Sequence, residues 1–140
     1  MAVNYFSEKS DFKFKNKRNT TNWLKGVISA NQKITGELSF IFCSDDQLLK
    51  INKTYLKHFF LTDVITFNYN DSDVINGDIY ISVERVSENA HIFGVSFDHE
   101  LYRIMVHGVL HLIGFNDKTA KQEKLMRELE DFYLKEILTK

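Results

Sequence analysis

The chain has 140 residues, 44% of them hydrophobic and 26% charged, a balance on which one domain can fold without disulfides or a structural metal. A formal net charge of −1 and a pI of about 6.5 leave no bulk basic footprint for nucleic acid, although a cleft can be basic on a neutral protein. The lone Cys43 excludes an internal disulfide, and no apolar run approaches the roughly 18 residues that span a bilayer, so no membrane partner is expected.

In chain order, residues 3–8 alternate weakly and read as a strand, with Phe12 and Phe14 continuing it or pairing with it. The first residues lack the basic start and apolar stretch of a signal peptide, which together with the single thiol suggests a cytoplasmic protein. Lys13, Lys15, Lys17 and Arg18 form a basic cluster that reads as a solvated edge. Thr20 or Thr21 is the expected cap of a helix running to about Asn31, with Trp23, Leu24, Val27 and Ile28 on one face. Residues 37–43 are short and apolar, a second strand that places Cys43 in the core. Ser44 suits the N-cap of a helix carrying Leu48, Leu49, Asn52 and Tyr55.

Residues 63–69 (DVITFNY) are β-branched and aromatic, hence a third strand. Asn76-Gly77 reads as a turn into a fourth strand over 78–82, antiparallel to the third. Residues 83–93 look helical and end at Gly94. Residues 98–113 form an apolar helix ended by Gly114. Residues 119–138 form a last helix, amphipathic through Leu125, Leu129, Phe132, Leu134 and Ile137. No proline, low-complexity stretch or internal repeat divides the chain, so residues 1–140 are read as one α/β (α+β) domain. A small mixed four-stranded sheet should carry about five helices, and four strands favour an open sheet over a barrel.

The chemistry concentrates in HGVLHLIGFND, residues 107–117. His107 and His111 are four apart on the predicted apolar helix, so both imidazoles share one face, one turn apart. Gly114 can end the helix in a conformation that reverses the chain and returns Asp117 to the same place. Two histidines and a carboxylate with an open fourth position form a catalytic zinc set, unlike the closed, cysteine-rich structural sites. His91 and His99 show no such pattern. The spacing also fits the zinc frame of metzincin peptidases, but those need a glutamate after the first histidine as base, and Gly108 stands there.

The run 107–117 resembles the signature of the YbeY family of rRNA maturation factors, single-strand-specific metal-dependent endoribonucleases. Asn52 and Tyr55 leading into Thr62-Asp63-Val64-Ile65-Thr66-Phe67, and Gly77-Asp78-Ile79-Tyr80-Ile81-Ser82, resemble two further blocks of that family, in its order. The resemblance implies a mixed α/β fold, a metal-dependent endoribonuclease of small-subunit ribosomal RNA maturation, and ribosomal RNA, ribosome and ribosome-assembly proteins as partners. One Zn2+ per chain would be held by His107, His111 and Asp117, with the two histidines catalytic through the metal and the general base unassigned.

Two positions depart from the family pattern. Asp117 replaces a third histidine and adds negative charge, which weakens the ion as a Lewis acid. Leu56 replaces an arginine expected to hold phosphate, leaving Lys53, Lys57 and His58 as substrate-binding candidates. Asp63 and Asp78 are candidates for orienting a histidine or tethering a loop, and Thr62 and Thr66 read as strand and turn formers. Phe59, Phe60, Phe67 and Tyr69 are candidates to stack on unpaired bases. The rival readings are a zinc-dependent amide or peptide hydrolase and a non-catalytic ribosome assembly factor with a structural metal.

Overall fold

The computed structural model describes residues 2–8, 10–56 and 62–139. Runs rich in β-branched and aromatic residues form four strands: β1 (Val3–Ser7), β2 (Ile34–Cys43), β3 (Val64–Asn68) and β4 (Val74–Ser82). Their order is β1-β2-β4-β3, with β1–β2 and β2–β4 parallel and β3–β4 antiparallel, so the sheet is open and mixed as expected. Five α-helices accompany it among the described residues: α1 (Lys17–Ala30), α2 (Asp45–Ile51), α3 (Val83–Phe93), α4 (Phe97–Ile113) and α5 (Ala120–Leu138). A π-helical turn, Asn52–Leu56, continues α2.

The two faces of the sheet are covered unequally. Ile75, Ile79 and Ile81 of β4 join Phe40 and Phe42 of β2 in the main core, against α1, α4 and the buried stripe of α5. A smaller cluster of Cys43, Leu48, Ile51 and Ile65, flanked by Phe67 and Tyr80, holds α2. Cys43 is fully buried, and burial pushes its thiol pKa up to about 12, which fits the core role read for it. No described helix is long and apolar enough to cross a membrane.

Helix α4 crosses the sheet at close range because glycine occupies both sides of the contact. A Cβ on Gly108 would lie 2.9 Å from Ile79 Cγ2, and one on Gly77 would lie 2.9 Å from Leu112 Cδ1. Ser96 caps the start of α4 by accepting from His99 N–H, one residue before the helix begins at Phe97.

Four local expectations are corrected by tertiary contacts. Helix α1 starts at Lys17, with Thr20 buried inside it, and Asn16 at its N-cap donates its side-chain amide to Tyr102 Oη at 2.9 Å. Phe12 and Phe14 form no strand. They pack as rings against Phe42, with centroids 5.1 and 5.4 Å away.

Asn76-Gly77 lies inside β4 rather than at a turn. Asn76 Oδ1 accepts from Glu37 N–H at 2.7 Å where the β2–β4 register shifts, and Gly77 admits Leu112. The β3–β4 turn falls earlier, with Ser72 at φ 55 and Asn70 bonding both Asn76 N–H and the Leu112 carbonyl. The buried stripe of α5 is Met126, Glu130, Tyr133, Leu134 and Ile137, while the expected Leu125 and Phe132 are 47% and 65% exposed. Leu134 and Ile137 are buried as expected and Leu129 packs on the core, while Met126 and Tyr133, one residue on and about 100° round the helix, take the places of Leu125 and Phe132.

Candidate metal centre

His107 and His111 project from the same side of α4, with ring centroids 4.6 Å apart. Gly114 ends the helix at φ 126, and its N–H reaches the carbonyls of Leu110 and His111. A side chain rarely adopts that φ, so glycine makes the reversal possible. Residues 115–117 then turn back over the helix end, before Thr119 and Gln122 start α5 with reciprocal capping bonds.

The returning Asp117 meets both rings. Its Oδ2 lies 3.5 Å from His107 Nε2, and its Oδ1 lies 3.4 Å from His111 Nε2. Ligands about 2.0–2.1 Å from a tetrahedral zinc are separated by about 3.3 Å, so both spacings fit one shared ion. One ligand atom from each of the three residues lies within 4.8 Å of the other two. Burial and the neighbouring His107 push the His111 pKa below its ordinary value, against an opposing pull from Asp117. That favours the neutral imidazole, the form that ligates a metal. The donor set therefore fits a divalent ion of the zinc class.

The three residues open into a cleft of about 250 Å³ whose other walls are Thr62, Asp63, Val64 and Thr66. Thr62 and Thr66, expected only to shape the strand and turn, thus face the site. Asp63 orients neither histidine. Its Oδ2 accepts from Asn89 Nδ2 at 3.2 Å and its carbonyl accepts from Ser82 N–H, as a loop tether does. Burial raises the Asp63 pKa, with Arg103 and His107 opposing the rise. Asp78 is half-buried beside Tyr69 and Tyr80, outside the cleft lining.

Among the described residues, no lysine or arginine lines the cleft. Lys53 is exposed on the π-helical turn beyond α2 and is not brought into the lining; Leu56 ends the same turn. Lys57, His58, Phe59 and Phe60 lie outside the described residues. Phe67 and Tyr69 share a separate groove with Ile51, Tyr55 and Tyr80. Asn52 is buried, 2% exposed, at the junction of α2 and the turn.

Sequence reasoning missed Glu130. Its Oε2 accepts from His107 Nδ1 at 2.6 Å, on the opposite side of the ring from Asp117. It is 3% exposed, and Arg103 Nη1 donates to its Oε1 at 3.1 Å. Arg103 also donates to both oxygens of Glu100, itself 1% exposed. The available signal was a lone carboxylate at helical spacing from Met126, Tyr133, Leu134 and Ile137, which marks it as buried and in need of a partner.

Comparison with known proteins fits this geometry. A family model described as endoribonuclease YbeY matches residues 3–138. An endoribonuclease YbeY of Flavobacterium psychrophilum is 50% identical over 93% of this chain and 93% of its own. One from Bacteroides thetaiotaomicron is 43% identical over 94% of this chain and 96% of its own. The solution structure of TM1509 from Thermotoga maritima superposes with a TM-score of 0.68 at 27% identity, covering 97% of this chain and 89% of that one. The match spans all three sequence blocks and the sheet and helices that bring them together, and the chain belongs to the YbeY family of endoribonucleases, the rRNA maturation factors that its motifs resemble.

Proposed function

We propose that this chain is a single-strand-specific, metal-dependent endoribonuclease that acts in the cytoplasm on small-subunit ribosomal RNA. One zinc ion per chain is held by His107, His111 and Asp117. The observation that carries this reading is the Asp117 carboxylate, whose two oxygens stand 3.5 and 3.4 Å from the Nε2 atoms of the two histidines. When bound, the ion supplies Lewis acidity for attack on a phosphodiester.

The chain's own residues hold and orient. His107 and His111 offer nitrogens from the rigid middle and end of α4, and Asp117 closes the set from the turn. The hydroxyl-bearing Thr62 and Thr66 form the wall opposite, placed for polar contact with an RNA backbone. Lys53, Lys57 and His58 are assigned to bind phosphate in place of the arginine that Leu56 replaces. The ribosome or ribosome-assembly proteins are the partners that present the RNA strand. Gly108 speaks against the peptidase alternative twice: it lacks a carboxylate, and its position packs on Ile79 with no room for a side chain.

The test starts with zinc content by mass spectrometry, on wild type and His111→Ala purified in parallel without added metal. Cleavage of one RNA as a single strand and as a duplex follows. About one zinc per wild-type chain, its loss in the variant, and cleavage confined to the single strand would support the reading. Absence of zinc from both proteins after zinc is offered and excess removed would overturn it. A Lys57→Ala protein that cleaves like wild type would remove Lys57 from the phosphate-binding set.

A further inference from the structure

His107 is gripped on both sides of its ring, and the two grips differ in kind. Nε2 faces Asp117 across the cleft, 3.5 Å away. Nδ1 bonds Glu130 at 2.6 Å inside the α4–α5 seam. Glu100, Arg103 and His107 succeed one another at spacings of three and four along α4, so they form one stripe along the helix. Arg103 links Glu100 to Glu130, and Glu130 links Arg103 to His107.

With Glu130 ionised against the Arg103 guanidinium, these hydrogen bonds select one tautomer of a neutral His107. The Arg103 guanidinium can only donate, and a carboxylate between two donors can only accept. The neutral His107 ring must therefore carry its proton on Nδ1, which leaves the Nε2 lone pair open toward the cleft. Among the described residues, no hydrogen bond fixes Nδ1 of His111 in this way. We propose that Glu130, held by Arg103 and Glu100, is the positioning residue of the metal centre: it selects the His107 tautomer that can ligate and aims Nε2 at the ion. This inference rests on the metal reading of the site.

Glu130→Gln separates this role from simple packing, because it keeps the side chain's size. An amide has one acceptor where the carboxylate has two. Arg103 claims the amide oxygen, so the amide NH2 turns to His107 Nδ1 and favours the tautomer protonated on Nε2, which has no Nε2 lone pair to offer the cleft. Zinc affinity, measured by competition with a chromophoric chelator at pH 8, should fall by about 10–100-fold. Nitrogen-15 NMR of the imidazole rings in the metal-free proteins should show Nδ1–H on His107 in wild type and a shift toward Nε2–H in the variant.

Zinc affinity of a folded Glu130→Gln protein within twofold of wild type would overturn the role of Glu130. So would a wild-type His107 protonated on Nε2, a result that needs no variant to fold. A wild-type chain that binds no zinc, yet shows His107 in the Nδ1–H form, would overturn the metal reading and with it the purpose of the positioning, while leaving the hydrogen bond intact.

Discussion

The two carboxylates beside His107 occupy opposite environments. Asp117 sits at the cleft with 38% of its side chain exposed; Glu130 sits in the α4–α5 seam with 4% exposed. Asp117 reaches the ring through a turn of six residues from His111, whereas Glu130 comes from another helix, 23 residues along the chain from His107. A solvated carboxylate costs little to leave alone and is free to take a metal. A buried one must have its charge balanced at all times, here by Arg103 and the ring N–H. One side of the histidine is built for exchange with the cleft and the other for permanence.

The largest expected effect lies on the exchange side. His107→Ala should lower single-strand RNA cleavage by about a thousandfold or more, the scale of several kcal/mol of lost transition-state stabilisation. Cleavage surviving at a tenth of the wild-type rate would show that the cleft works without the His107 imidazole.

The next experiment sets the two carboxylates against each other in the metal-free protein. Glu130→Ala leaves Arg103 short of a partner and should cost about 3 kcal/mol in urea unfolding. Asp117→Ala, at a half-exposed position, should change stability by less than about 0.5 kcal/mol while removing a carboxylate from the proposed metal site. Equal stability losses for the two would erase the contrast.

The seating of α4 on the sheet gives a smaller effect. Gly108→Ala puts a methyl 2.9 Å from Ile79 Cγ2 and should destabilise by about 1–3 kcal/mol. Its zinc affinity should also drop, since the helix that bears both histidines must lift. Unchanged stability would mean that α4 has slack against β4.

The smallest effect is in pH. His111 has its pKa lowered from 6.5 by burial and by His107, so the unfolded chain takes up a proton before the folded one. Metal-free stability should hold above about pH 6.5 and decline as the pH falls below it, toward the lowered folded-state value. His111→Gln should flatten that part of the profile in chelator-treated samples. A wild-type profile that rises on acidification would reverse the sign.

Some of this architecture was legible because its causes are local. The apolar character of residues 98–113, the four-residue spacing of the histidines and a glycine three residues before Asp117 act within about three helical turns. Geometry at that range follows from helix pitch and one left-handed residue. Asn76-Gly77 shows where local reasoning fails. The pair has turn chemistry, but Asn76 is engaged by Glu37 N–H and Gly77 by Leu112, and both partners come from other elements. Thr62 and Thr66 likewise carry no local sign of facing the histidine cleft; Thr66 is placed there by β3 pairing with β4 under α4, and Thr62 by the segment that leads into β3.

The sequence by itself determined the open mixed sheet, the helix that carries His107 and His111, its reversal at Gly114, and the grouping of those histidines with Asp117, since spacing and side-chain chemistry within short segments account for them. Only the tertiary structure decided which face α5 buries, how near α4 approaches the sheet and which buried carboxylate backs His107. Those outcomes depend on packing and charge balance between residues distant in the chain, and a buried charge such as Glu130 acquires its partner only when two helices close on each other.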